Sequence, residues 1–239
     1  KGKKSFAVVA TAGTTVCGAV DPLFDISQFC LSEGLWLHVD AAIGGAYALS
    51  EATKQLINGI QMANSVTFNP QKLLGITKTS SLLLVANYSD LQSCFSTGFP
   101  YIEPTLETEA HGGEIGLQGS RSGEALKLWL GLRQLGEEGI QNLVEQSLFR
   151  CKHLCERLDT QKFKIISGPL HLLAITPRKL DNFQAANWSI ATRNELLSKK
   201  YMLSRPFHRG RFYLKAVMGN PHTKLHHLNE LSDLLNQSL

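Results

Sequence analysis

Nowhere in this chain of 239 residues do apolar side chains run for the roughly 18 positions that a membrane-spanning helix needs, so an integral helical membrane protein is excluded. Cysteine is sparse and unpatterned. Cys17, Cys30, Cys94, Cys151 and Cys155 are odd in number and show no C-x-x-C spacing, which argues against a disulfide framework or a zinc ribbon and for a reducing, cytoplasmic setting. Charge is modest too, at 18% of residues, with 24 Lys and Arg against 20 Asp and Glu for a net +4. Because no basic stripe is interleaved with aromatics, nucleic acid is a poor partner and a small acidic or zwitterionic ligand a better one. There is no internal repeat, no low-complexity segment and no Met at position 1. The opening "KGKKSFAVVATAG" imitates a signal peptide, but Thr11 and Gly13 break its apolar run, so a first strand is expected there, inside a longer protein.

What is present is an ordinary globular composition, 43% apolar, on a chain long enough to bury a core. Strands are expected at residues 5–11, 36–40, 65–69 and 81–87, and helices at 23–33, stopped by Gly34, and at 50–57, capped by Ser50. This alternation gives an α/β class with a mainly parallel sheet. Residues 94–119 read as a long Gly-, Pro-, Thr- and Glu-rich loop of the kind that carries function. Helices at 124–135 and 140–158, strands at 163–166 and 212–217, and a last helix at 222–235 suggest a small α+β unit at the end. His222 and His226 have helix spacing but no third ligand, so no metal site is expected, and Cys151 and Cys155 read as core.

The stretch "WLHVDAAIGG" ends a buried-looking strand on Asp40 and follows it with small residues. A carboxylate there is costly unless a cation meets it. In open α/β sheets ligands bind at the carboxyl ends of strands, where Gly13-Thr14-Thr15, Asp40 and Asn69-Pro70-Gln71-Lys72 all fall. A strand-end Asp alone is usually a cap, and a lone Lys a surface residue. Together they suit the two ends of one planar cofactor, pyridoxal 5'-phosphate: a lysine amine for its aldehyde and a carboxylate for its pyridine nitrogen. Ala41, Ala42, Gly44 and Gly45 would then let the ring approach the backbone.

Four ordered motifs, "VVATAGTTVCGAVDPL", "GLWLHVDAAIGG", "INGIQMANSVTFNPQKLLG" and "LQGSRSGEALKLWLGLR", with a fainter "FYLKAVMGNPHT", resemble the group II pyridoxal-phosphate-dependent amino-acid decarboxylases. The resemblance implies the fold-type I transferase fold, with residues 1–145 as the C-terminal half of the cofactor-binding large domain and 146–239 as the small domain. It makes Lys72 the Schiff-base lysine, Asp40 the pyridine-nitrogen partner, and Ala42 the small residue beneath the ring. Thr15 becomes a cofactor contact, and Asn69 opens the lysine motif. Asp21 supports the site structurally, and Arg121 lies beside a dimer interface. Gln71 departs from the family, which has at that place a histidine that helps hold the phosphate; glutamine can still donate a hydrogen bond, without imidazole's charge.

The resemblance further implies a carboxy-lyase that decarboxylates an L-amino acid as a homodimer with active sites at the subunit interface. Wording such as "LWLHVDAA" is closest to the glutamate and cysteine sulfinate branch, so an acidic substrate is expected ahead of an aromatic one or diaminobutyrate. Tyr101, in "STGFPYIEPT", resembles a loop tyrosine that reaches the other subunit's site, where a phenol can return the proton to Cα. The ring-stacking histidine and phosphate-cradling residues of the family precede the matched part. This stretch alone is therefore expected to be inactive, and a non-catalytic paralogue or remnant retaining the fold for assembly is the alternative.

Overall fold

Strands β1 (Ala7–Thr11), β2 (Trp36–Asp40), β3 (Ser65–Phe68) and β4 (Leu82–Val85) lie side by side in that order in the computed structural model, which describes residues 2–78, 80–96, 112–120 and 122–239. The β1–β2 and β2–β3 pairings are parallel and β3–β4 is antiparallel. Helix α1 (Leu23–Glu33) makes the crossover from β1 to β2 and ends at Gly34, whose φ of 62° and ψ of 37° suit a residue without a Cβ. Period-two alternation puts Leu37 and Val39 in the core, beside Leu23 and Cys30 of α1. Trp36, His38 and Asp40 take the other face, where Val9, the register partner of His38, is 66% exposed.

Helix α2 (Tyr88–Phe95) follows β4, and the long helix α3 (Glu124–Arg157) leads into the second half. Two helices are expected from the sequence over α3, and the chain does change direction where they part: Gly136 takes φ 62° and ψ 179° inside α3. Its Ile140 and Val144 pack into the core of the first sheet, and its Cys151 and Leu154 into a second core. That second core is built on β5 (Phe163–Ser167), β6 (Leu172–Pro177) and β9 (Leu214–Val217), an antiparallel sheet in the order β5-β6-β9, with α4 (Asn182–Ser198) and α5 (Leu225–Gln237). A small hairpin, β7 (Phe207–His208) with β8 (Arg211–Phe212), stands between. Among the described residues no helix is long and apolar enough to cross a membrane.

Three expectations need correction. No α-helix runs from 50 to 57; instead short 3-10 turns cover Gly44–Leu49 and Lys54–Ile57. The Ser50 side chain caps nothing, and the Thr53 hydroxyl donates to the Tyr47 carbonyl at 3.0 Å, a side-chain bond that competes with helical pairing. The strand expected at 212–217 is split, since Tyr213 turns its N–H to the Pro206 carbonyl. The last helix starts at Leu225, so His222 precedes it and shares no helical face with His226.

Gly44 and Gly45 are buried, and the space of their absent side chains is already taken. A Cβ on Gly44 would run into the Ala12 carbonyl, and one on Gly45 into the Phe68 ring. These glycines serve close packing of backbone on backbone, not access for a cofactor ring, and the bond from Gly44 N–H to Ala12 O at 2.9 Å holds that approach. Gly44→Ala is expected to cost about 2 kcal/mol in a denaturant titration, the scale of an overpacked core. An unchanged midpoint would show that the turn relaxes freely.

Candidate active site

Register places three strand ends on one line: Thr11 of β1 pairs with Asp40 of β2, and Asp40 with Thr67 of β3. The polar stretches expected to share an edge do share it. After β1 the chain folds into a tight loop, with the Gly13 and Thr14 N–H groups donating to Ala19 O at 3.0 and 2.9 Å and Ala19 N–H donating to the Thr14 hydroxyl at 3.0 Å. Asp21 closes this loop: its carboxylate accepts the Thr11 N–H at 2.8 Å, while its own N–H donates to Thr11 O. Asp21 is thus a structural clamp on the edge.

Asp40 is exposed at the tip of β2, and its Oδ1 accepts the N–H of half-buried Ala42 at 3.1 Å. The next stretch is a turn in which Lys72 N–H donates to Asn69 O at 3.0 Å and Ile76 N–H to Pro70 O at 3.3 Å. Asn69 Oδ1 accepts the Ser81 hydroxyl at 2.6 Å. Gln71 Oε1 accepts the Ser80 N–H at 3.0 Å, so this side chain ties the segment after the lysine back onto the edge. The glutamine therefore spends its carbonyl on the loop, leaving only its amide N–H groups for a ligand.

Lys72 is exposed, with no hydrogen bond or ion pair from its amine among the described residues. It lines an open cleft of ≈ 810 Å³ with Thr15, Leu74, His171, Leu172 and Lys215. Asp40, Ala42, Asn69 and Gln71 stand on the strand edge outside this cleft's lining. Tyr101 and Arg121 lie outside the described residues.

Two cleft residues escaped the sequence reading. Lys215 of β9 donates to the Thr15 carbonyl at 3.1 Å, and its pKa is lowered first by burial and then by the charge of Lys72. Its signal was the "FYLKAVMGNPHT" echo, where a lysine sits in an otherwise apolar strand. His171 is buried, with Nδ1 2.8 Å from the hydroxyl of fully buried Tyr47. Burial, helped by nearby Arg150, pushes the His171 pKa down to about 4, and burial pushes Tyr47 up to about 12, so both are neutral at pH 7. The Tyr47 oxygen also accepts the His171 main-chain N–H at 3.2 Å, so the two residues are joined twice.

This donor set fits pyridoxal phosphate: a free amine in a cleft with apolar walls, and an exposed carboxylate on the adjoining strand edge with acceptor capacity left over. Comparison with known proteins agrees. The family model described as the pyridoxal-dependent decarboxylase conserved domain matches residues 1–176. Human cysteine sulfinic acid decarboxylase is 36% identical over 174 residues, 71% of this chain and 35% of its own length. The aromatic-L-amino-acid decarboxylase of Bacillus atrophaeus is 32% identical over 203 residues, 84% of this chain and 42% of its own. The crystal structure of mouse CSAD in apo form superposes with a TM-score of 0.85 at 27% identity, covering 98% of this chain and 52% of that one. The chain thus spans about a third to a half of the length of these relatives, and it belongs to the pyridoxal-dependent decarboxylase family.

Proposed function

We propose that this chain is the lysine-bearing half of a pyridoxal-phosphate-dependent carboxy-lyase that converts an acidic L-amino acid, of the glutamate or cysteine sulfinate kind, to its amine and carbon dioxide. What supports the acidic reading is the 36% identity with human cysteine sulfinic acid decarboxylase, together with a second cation, Lys215, that remains beside Lys72 in one cleft walled by Leu74 and Leu172. Bound pyridoxal phosphate supplies an electron sink for the pair of electrons left at Cα when the carboxylate departs. The chain's own residues do the rest. With the cofactor bound, Lys72 would hold it through Nζ, and Asp40 would keep a proton on its ring nitrogen. Thr15, Ala42, Asn69 and Gln71 border it. Lys215 attracts a substrate carboxylate, and the leucines keep water from the reacting atoms. Tyr101 is assigned the return of a proton to Cα, from a loop of the other subunit in a homodimer.

The two buried clusters that share α3 support a division of the chain near residues 145 and 146, into part of the large domain and a small domain, with Leu170 and Leu172 of the later part packing back into the first cluster. A cytoplasmic setting belongs to the same proposal; all five cysteines are free.

Carbon dioxide release from a panel of acidic, aromatic and basic amino acids by the complete protein tests this reading. Acidic substrates should dominate, and Lys215→Gln should raise their KM about 10- to 100-fold, the scale of one charge-assisted hydrogen bond, with a smaller change in kcat. Because the Lys215 pKa is lowered, its cation is present at low pH and lost sooner than an ordinary lysine's as pH rises. The KM for acidic substrates should climb correspondingly early on the alkaline side. An aromatic preference, or a KM indifferent to Lys215→Gln, would overturn the substrate assignment.

A further inference from the structure

Beside the cleft, a second pocket of ≈ 610 Å³ opens between α3 and the start of α5. Leu135, Leu143 and Pro221 are common to the walls of both. Its inner wall includes Arg150, which is only 5% exposed. The Arg150 Nε donates to the Met218 carbonyl at 3.0 Å, while Nη2 is buried with no acceptor, and no carboxylate pairs with the guanidinium among the described residues. Burial without a counter-charge already lowers its pKa. A guanidinium keeps its proton at any ordinary pH, so it cannot relieve the cost by becoming neutral as a buried lysine would. An unpaired buried charge of this kind is expensive, and a paired one much less so.

Leu135, Leu143, Phe149 and Leu225 make much of the remaining lining apolar, and its other charged member is also a cation. Lys224 stands at its rim, where α5 begins, so the donor end of that thirteen-residue helix adds to the positive field. Asn142 and Gln146 project from α3 along the same wall and offer amide donors. Among the described residues no aspartate or glutamate lines it.

We propose that this pocket is a binding site for a small oxyanion, a carboxylate or a phosphate, which supplies the counter-charge of Arg150 and is held at the rim by Lys224. With Nε bonded to the Met218 carbonyl, the Nη end of the guanidinium is what remains to meet an oxygen of either group. Through the Arg150–Met218 bond the site is joined to Gly219, Asn220 and Pro221, which wall the cleft, so a bound anion fixes the segment that follows Lys215. The inference does not depend on which amino acid the cleft accepts.

The test uses the complete protein loaded with its cofactor, so that the cofactor's own phosphate site is filled. Calorimetric titrations with inorganic phosphate and with succinate distinguish the two kinds of oxyanion. Saturable binding of at least one is expected, weakened tenfold or more by Arg150→Met and about threefold by Lys224→Gln, and unchanged in Lys215→Gln. Arg150→Met without added anion should melt no lower than the unsubstituted protein, since it removes an unpaired charge. Lys224→Gln, at an exposed position, provides the same readout should Arg150→Met fail to fold. No saturable binding of either ion would overturn the proposal. So would binding that survives both substitutions, or binding lost only in Lys215→Gln, which would put the anion in the cleft.

Discussion

Lys72→Ala in the complete protein should abolish both the lysine-linked cofactor absorption and turnover, while Lys78→Ala should leave both intact. The two lysines are close in sequence and differ in setting. Lys72 lies on the cleft wall with its amine uncommitted, and the turn that carries it is pinned by the Asn69, Pro70 and Gln71 hydrogen bonds. Lys78 is exposed outside the cleft lining, and its carbonyl accepts the Lys127 amine at 3.1 Å. A covalent link needs an amine held within reach, and only a fixed turn provides that. Because Lys72 is exposed and unpaired, its removal should change stability by no more than about 0.5 kcal/mol. Turnover surviving in the folded Lys72→Ala protein would reject the assignment.

Asp40→Ala is expected to slow decarboxylation on the order of a thousandfold, about 4 kcal/mol of barrier, with little change in thermal stability. The carboxylate is exposed and, among the described residues, accepts a hydrogen bond only from Ala42 N–H, so the fold does not rest on it. Its proposed work is to hold a proton on the ring nitrogen, and a neutral pyridine withdraws electrons far less well. Asp40→Asn separates charge from shape, since the amide fills the same volume but cannot stabilise the cationic ring. A rate close to normal in either variant would reduce Asp40 to a cap for the turn at Ala42.

The parts of this site that depend on local chain chemistry could be read from the sequence. Alternation and a glycine stop gave β2 and α1 their observed limits, and carboxyl strand ends predicted that Thr15, Asp40 and Asn69 would share an edge. The capping box of α4, Asp181 with Gln184, was equally legible and was passed over. Other features depend on partners far away in the chain. Gly44 looks like open space until Ala12 is seen against it, and no periodicity announces that His171 meets Tyr47 or that Lys215 meets Thr15. The fully buried strand β6 lacks the alternation that reveals a half-exposed one.

The contact between Lys215 and Thr15 spans nearly the whole chain. Such a closure sets when, during synthesis, the cleft can exist. Contacts of high sequence separation form late, because the intervening loop entropy is lost before any compensating interaction is made. β1, β2 and β3 can associate as they emerge, yet the wall opposite Lys72 waits for β9. A ribosome that stalled before residue 214 would release a polypeptide with the proposed cofactor-binding lysine and without the wall that Lys215 provides, an adhesive intermediate exposed to chaperones and proteases.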